Sequence, residues 1–130
     1  MNDKAVALDA GRAIAVLNDT AGAGDWVRQF TRVLLPVPVV GQLRFAALNS
    51  SRRVENLEHV HALVARCQVL GADQQTAFVY ADIRLGLKRS GNVIPEHDIW
   101  ISAICIQHWL PLATVDPHFA CVGGLTVIND

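Results

Sequence analysis

Three aspartates in this 130-residue chain stand where a carboxylate can do chemistry. Asp9 ends the apolar run Ala5-Val6-Ala7-Leu8, and Asp116 follows Leu112-Ala113-Thr114-Val115. Asp98 stands directly before Ile99-Trp100-Ile101, at the head of the most apolar stretch of the chain. No Lys or Arg adjoins any of the three, so if gathered they repel one another unless a cation sits between them. Carboxylate oxygens suit Mg²⁺ or Mn²⁺. Such an ion can polarise a phosphodiester and lower the pKa of an attacking water. Each acid also has a local use that needs no metal. Asp9 can cap a helix starting near Gly11, Asp98 can complement the positive end of its own helix, and Asp116, before Pro117, can open a turn.

The elements that must position these acids alternate between short apolar runs and longer stretches of helical period. Ala5 to Leu8 and Gln68-Val69-Leu70 read as strands, as do Leu112 to Val115 and Leu125 to Ile128. Val33 to Pro38 reads as extended, because a proline disfavours helical geometry in the residue before it. Ala13, Ile14 and Leu17 share one helical face that should stop near Asn18 to Gly24. Trp26, Val27 and Phe30 suggest a second short helix, and helical spacing resumes from Val39 to Leu48. Val54, Leu57, Val60, Val64 and Cys67 form an amphipathic stripe, followed by Ala77, Tyr80, Ile83 and Leu87 up to Ser90-Gly91-Asn92. Ile99 to Trp109 is apolar on nearly every side and should be a central, buried helix. Strand and helix in alternation predict an α/β fold: three layers, α/β/α, around a mainly parallel sheet. In an open sheet of this kind ligands bind beyond the carboxyl ends of the strands, where the strand order reverses. Asp9 and Asp116 therefore belong in one crevice, with Asp98 reaching it from a helix N-terminus.

Composition narrows the class. Apolar residues make up 52% and charged ones 18%, which excludes a disordered chain or a charged coiled coil. The length predicts one domain spanning residues 1–130. Eleven Lys/Arg against twelve Asp/Glu leave a net charge of -1, so polyanion binding has to come from a local patch. Cys67, Cys105 and Cys121 lie far apart, without a CxxC or zinc spacing, and an odd count argues against a disulfide framework. Buried thiols in a reducing compartment are expected. The stretch Met1 to Asp9 reads as neither a leader nor a membrane span, so a cytoplasmic location is expected.

Longer stretches carry a family resemblance across essentially the whole chain. They include Leu8-Asp9-Ala10-Gly11, Pro36-Val37-Pro38-Val39-Val40-Gly41-Gln42-Leu43 and Tyr80-Ala81-Asp82-Ile83-Arg84. Gly91-Asn92-Val93-Ile94-Pro95-Glu96-His97-Asp98-Ile99-Trp100-Ile101-Ser102-Ala103 follows, then Leu112-Ala113-Thr114-Val115-Asp116-Pro117-His118-Phe119 and Gly124-Leu125-Thr126-Val127. In this order they resemble PIN-domain proteins of the VapC toxin type, a family of Mg²⁺/Mn²⁺-dependent ribonucleases. The resemblance implies a PIN-like fold and a metal held by Asp9, Asp98 and Asp116, with the Thr114 hydroxyl supporting the cluster. It further implies an RNA substrate (transfer RNA is a frequent target of the family), a protein antitoxin, a homodimer, and hydrolysis leaving a 5′-phosphate and a 3′-hydroxyl. Gln42 stands where the family usually has Glu. An amide oxygen can ligate a metal, but it brings no negative charge and cannot act as a base. The implied activity is therefore an endoribonuclease using metal-activated water, and the alternative is a weakened PIN protein that binds RNA or an antitoxin without cutting.

The remaining candidates are substrate contacts. Seven of the eleven Lys/Arg lie between Arg44 and Arg89. Arg44, Arg52, Arg53, Arg84, Lys88 and Arg89 can hold RNA phosphates or form a merely solvated face. His59 and His61 read as surface residues, whereas His97 and His118 lie near candidate acids. Trp100 and Trp109, on the most apolar helix, are expected to pack in the core, and Trp26 to belong to a contact surface. A small-molecule-binding α/β domain lacks support, because Gly22-Ala23-Gly24 follows a helix where a phosphate loop joins a strand to a helix.

Overall fold

Ala5-Val6-Ala7-Leu8 is apolar throughout, which suits a strand covered on both faces, and in the computed structural model it forms β1 (Ala5–Leu8) at the centre of the sheet. The structure describes residues 4–129. Met1 to Asp3, part of the stretch read above for a leader, lie outside the described residues. After β1 come α1 (Ala10–Asn18), a short 3₁₀ turn, α2 (Ala23–Val27) and β2 (Arg32–Pro36). The paired helices α3 (Val37–Leu48) and α4 (Arg53–Arg66) lead to β3 (Gln68–Leu70), and α5 (Gln74–Ser90) and α6 (Glu96–Gln107) to β4 (Leu112–Ala113). A second 3₁₀ turn, Pro117–Cys121, precedes β5 (Val127–Ile128).

All strand pairs are parallel, in the order β3-β2-β1-β4-β5. The chain steps outward from β1 to β2 and β3, then returns past β1 to place β4 on its other side. Right-handed crossovers therefore put α1 and α4 on one face and the α5–α6 hairpin on the other. The sequence expectation of a three-layer α/β/α fold is met. Leu8 pairs with Ala113 in register, so the residues that follow them, Asp9 and Thr114, emerge side by side.

Two clusters of buried residues share α6. Its Ile101 and Cys105 join Val6, Leu8, Leu34, Leu35 and Leu112 around the sheet. Ile99 and Ala103 face Ile83 and Leu87 of α5 instead. The hairpin is tied at both ends. At one end Thr76, fully buried, accepts from the Asp73 N–H at 2.9 Å and donates to the Gln107 amide oxygen. Gln107 also donates to Asp73 at 2.9 Å. At the other end Tyr80 stacks on Trp100 with ring centroids 4.2 Å apart and donates to Glu96 at 2.6 Å. Arg84 reaches the same carboxylate at 2.8 Å. Gly91, at φ 74°, takes the left-handed position that closes α5.

Four expectations are corrected. Val37 and Pro38 are not extended but open α3, because the first N–H groups of a helix need no partner and a proline there loses nothing. Val54 is 73% exposed, and Leu63 takes its place in the buried stripe of α4. Only Cys105 is a buried thiol; Cys67 is half-buried and Cys121 exposed. Burial pushes the Cys105 thiol up to about 12, which leaves it inert.

Trp109 is the fourth, since it is 93% exposed rather than packed in the core. The helix ends before it, and the Leu110 N–H returns to the Cys105 carbonyl while the Trp109 N–H returns to Ile106. That pairing puts Trp109, at φ 56°, in the left-handed position normally filled by glycine. Trp109→Gly is expected to stabilise the protein by about 1 kcal/mol, since it removes the left-handed strain without losing burial. Urea unfolding checks the direction.

Candidate metal centre

The site grows from the ends of β1 and β4. The strand order reverses between these two strands, so a crevice opens above them with no helix filling it. Asp9 follows β1 and caps α1: its Oδ1 accepts from the Arg12 N–H at 2.8 Å. Its Oδ2 accepts from the Thr114 hydroxyl. That hydroxyl, 1% exposed, accepts in turn from the Asp116 N–H at 2.9 Å. Asp116 caps the second 3₁₀ turn, with Oδ1 accepting from the His118 N–H at 2.9 Å. The capping and turn roles considered for Asp9 and Asp116 are therefore real, and each leaves carboxylate lone pairs unused.

Asp98 arrives from the opposite side, in the first turn of α6, and is 4% exposed. Its backbone is fixed by the Asp98 N–H donating to Pro95 at 3.0 Å and by Ser102 donating to its carbonyl at 2.8 Å. Its carboxylate lies 3.2 Å from His97 Nε2 and 3.4 Å from His118 Nδ1. His118 Nδ1 lies also 3.2 Å from Asp116.

Burial pushes the Asp9 carboxyl above its ordinary value; Thr114 and the Arg12 N–H oppose that shift, and the Asp116 charge adds to it. Asp98 is raised likewise, first by burial, with His97 pulling it down and Asp116 pushing it up. Asp116 thus acts on both neighbours, and the three acids form one electrostatic unit.

A divalent cation fits these residues. One donor atom each from Asp98, Asp116 and His118 lie within 4.8 Å of one another. Gln42 lies on α3, next to the buried Leu43, and its Oε1 is buried with no hydrogen-bond partner among the described residues. A carbonyl oxygen in that state is an acceptor waiting for a donor or a cation. Helix α3 packs on both α1 and α6, the helices that carry Asp9 at their start and Asp98 in their first turn.

The six basic candidates do not join the acids. Arg44 and Arg53 are exposed on α3 and α4, and Arg52 pairs with Glu55 at 2.8 Å. Arg84 is held by Tyr80 and Glu96. Lys88 and Arg89 lie in the last turn of α5. Arg84 and Lys88 do line a groove with Asn92, Ile94 and Glu96, two residues from Asp98. The sequence reading placed His118 near one acid, whereas the ring sits between two. The spacing Asp116-Pro117-His118 was the available signal, since an aspartate that opens a turn accepts from the N–H two residues on. Trp26, expected on a contact surface, is half-buried, with the Arg12 guanidinium 4.6 Å from its ring centroid.

An open parallel sheet with carboxylates gathered at its switch point defines a class of α/β proteins with an acidic metal centre. Residues 6–125 match the family model described as PIN domain. The chain is 31% identical over 101 residues to Ribonuclease VapC5 of Mycobacterium tuberculosis, covering 75% of this chain and 74% of that one. Among solved structures, VapBC2 from Rickettsia felis, bound to a DNA fragment from its promoter, superposes with a TM-score of 0.89 at 16% identity, covering 96% of this chain and 98% of that one. VapBC-5 from Mycobacterium tuberculosis, a toxin–antitoxin system, superposes with a TM-score of 0.78 at 25% identity, covering 98% and 99%. This chain belongs to the PIN-domain family and is of its VapC toxin type.

The raised carboxyls fix a sign for stability. An acid whose folded value exceeds its unfolded value binds more protons when folded, so its contribution is complete below the unfolded value, about 3.9, and is lost as pH rises through the folded value. The thermal midpoint of chelator-treated protein is expected to fall on this account as pH rises above about 4. Asp98→Asn should raise the midpoint at neutral pH and flatten that slope, as measured by scanning fluorimetry.

Proposed function

We propose that this protein is the toxin of a toxin–antitoxin pair, a divalent-metal-dependent endoribonuclease. The observation that carries the reading is the approach of Asp98, Asp116 and His118 to within 4.8 Å of one another beside the β1/β4 switch point, with Asp98 buried and the buried Asp9 tied to Asp116 through Thr114. Carboxyls raised first by burial and further by the Asp116 charge, as Asp9 and Asp98 are, are costly to ionise in an ion-free fold, and a cation offsets that cost. Asp9, Asp98 and Asp116 would hold Mg²⁺ or Mn²⁺, with Gln42 lending a neutral oxygen. Bound there, the ion supplies Lewis acidity toward a phosphodiester and lowers the pKa of an attacking water.

The chain's own residues supply positioning. Thr114 fixes the Asp9 carboxylate by donating to it and fixes Asp116 by accepting its N–H. The α5–α6 hairpin sets the depth at which Asp98 enters. Arg84, paired with Glu96, and Lys88 line the groove beside α6 and would meet the flanking RNA phosphates, a charge contact that carries no sequence information. Arg44, Arg52, Arg53 and Arg89 are exposed and available for further phosphate contacts. No covalent nucleophile is needed, and the buried Cys105 takes no part. The antitoxin partner is supported by the VapBC assemblies that share the fold. A homodimer and a cytoplasmic location belong to the same reading. Among the described residues no helix is long and apolar enough to cross a membrane.

Gln42 favours a second reading, since a neutral residue at that position weakens the pull on a divalent ion. In that reading the protein binds RNA or its antitoxin without cutting. RNA cleavage in Mn²⁺ and then Mg²⁺ decides between them. Wild type is expected to cut, chelator to stop it, and Asp98→Asn to abolish it. Cleavage by Gln42→Glu alone assigns the natural chain to the binding reading, and cleavage indifferent to chelator rejects the metal mechanism. Thr114→Val, which leaves Asp9 without its donor, should lower the cleavage rate about 10- to 100-fold while the protein stays folded, as loss of a group that orients a ligand does.

A further inference from the structure

We infer that His118 is itself a ligand of the metal, through Nδ1, beside Asp98 and Asp116, so that the centre is a mixed nitrogen and oxygen site rather than an all-oxygen one. The inference rests on the proposed metal site and concerns which of this chain's residues fill it. His118 Nδ1 stands 3.2 Å from Asp116 Oδ1 and 3.4 Å from Asp98 Oδ2. Two donors at right angles on an octahedral ion with bonds of about 2.1 Å stand roughly 3 Å apart, so these are separations that one ion spans. The chosen donor atoms of all three residues fall within 4.8 Å of one another, which leaves room for one cation among them.

The imidazole is held in place by its own backbone. His118 sits in the 3₁₀ turn that Asp116 caps, and its N–H donates to Asp116 Oδ1 at 2.9 Å. The next residue, Phe119, is 1% exposed and pins that turn to the core. The turn packs on α6, which presents Asp98. The ring is 46% exposed, so its donor atom faces a crevice that ions can enter. His97 approaches Asp98 alone, through Nε2 at 3.2 Å, and stands outside the triad.

The choice of donor has a consequence for the ion. Mg²⁺ takes oxygen ligands, whereas imidazole suits the first-row transition ions, for which affinity rises from Mn²⁺ toward Co²⁺ and beyond. A chain with Gln42 in place of a fourth carboxylate has less charge to attract Mg²⁺, and a nitrogen donor shifts the balance toward Mn²⁺.

Proton NMR of the full chain loaded with Co²⁺ tests ligation without relying on cleavage. A coordinated His118 should give an exchangeable imidazole Nε2–H signal far outside the diamagnetic range. That signal should vanish in D₂O and in His118→Gln but persist in His97→Gln. Calorimetric titration adds a second readout: His118→Ala should lower Mn²⁺ affinity at least about 10-fold while Mg²⁺ affinity changes little. Co²⁺ binding with no such signal, or equal losses for Mn²⁺ and Mg²⁺, overturns the inference and leaves the acidic site standing. Failure of wild type to bind Co²⁺ or Mn²⁺ at all overturns this inference and the metal reading together.

Discussion

The hydroxyl of Thr114 joins the two ends of the chain at the one point where the fold needs them joined. It donates to Asp9, 105 residues earlier, and accepts from the N–H of Asp116. Both bonds depend on the sheet. The Asp9 N–H reaches the Ala113 carbonyl at 3.3 Å and the Thr114 N–H reaches Ile128 at 2.9 Å, so the ladder of β1, β4 and β5 continues one residue beyond the strands. With Leu8 opposite Ala113, the next two side chains fall together. A slip of one residue in that register would turn Thr114 to the other face and strand the Asp9 carboxylate in the core. Two-residue strands such as β4 hold few ladder bonds of their own, so this polar joint also secures the pairing it depends on.

The electrostatics follow from the same joint. A carboxylate as buried as Asp9 is expensive unless it is hydrogen-bonded, and it receives two donors, the Thr114 hydroxyl and the Arg12 N–H. Those donors lower its pKa without overcoming burial, which dominates. Asp98 has weaker support, from His97 and His118, and remains raised as well. The fold therefore tolerates a concentration of negative charge that it does not neutralise internally. Structural ion pairs elsewhere in the molecule, such as Arg84–Glu96 and Arg52–Glu55, are matched one to one and exposed, and they hold geometry rather than unmet charge.

The sequence shows the acids more plainly than it shows their neighbours. Asp9, Asp98 and Asp116 are legible because each ends or begins an apolar run, and such a position in an open α/β sheet maps directly onto the crevice. The parallel alternation is legible for the same reason, although the order β3-β2-β1-β4-β5 is not, since crossover direction leaves no periodic mark. Trp109 misled because hydrophobicity continues through the helix end. The stop is set by the backbone pairing of Leu110 with Cys105, which composition does not reveal. Val37 and Pro38 misled because the rule against helix before proline weakens in the first turn. His118 was visible as a neighbour of Asp116, but its second contact, with Asp98 twenty residues away, exists only once α6 is docked.

Docking of α6 is thus the last requirement of the site. Two of the three acids follow strands that the sheet aligns, whereas Asp98 enters on a helix whose axial position must be set by something else. The α5–α6 hairpin sets it with polar ties at both ends: Thr76 and Asp73 to Gln107 at the far end, Tyr80 and Arg84 to Glu96 beside the site. Sliding α6 by one turn, about 5.4 Å, would break both ties and carry Asp98 out of reach of His118 and Asp116. Apolar packing resists that slide as well, because one turn along Cys105 would stand where Ile101 packs and Ala103 where Ile99 packs. Packing and the polar ties set the register together, and the register places the third acid.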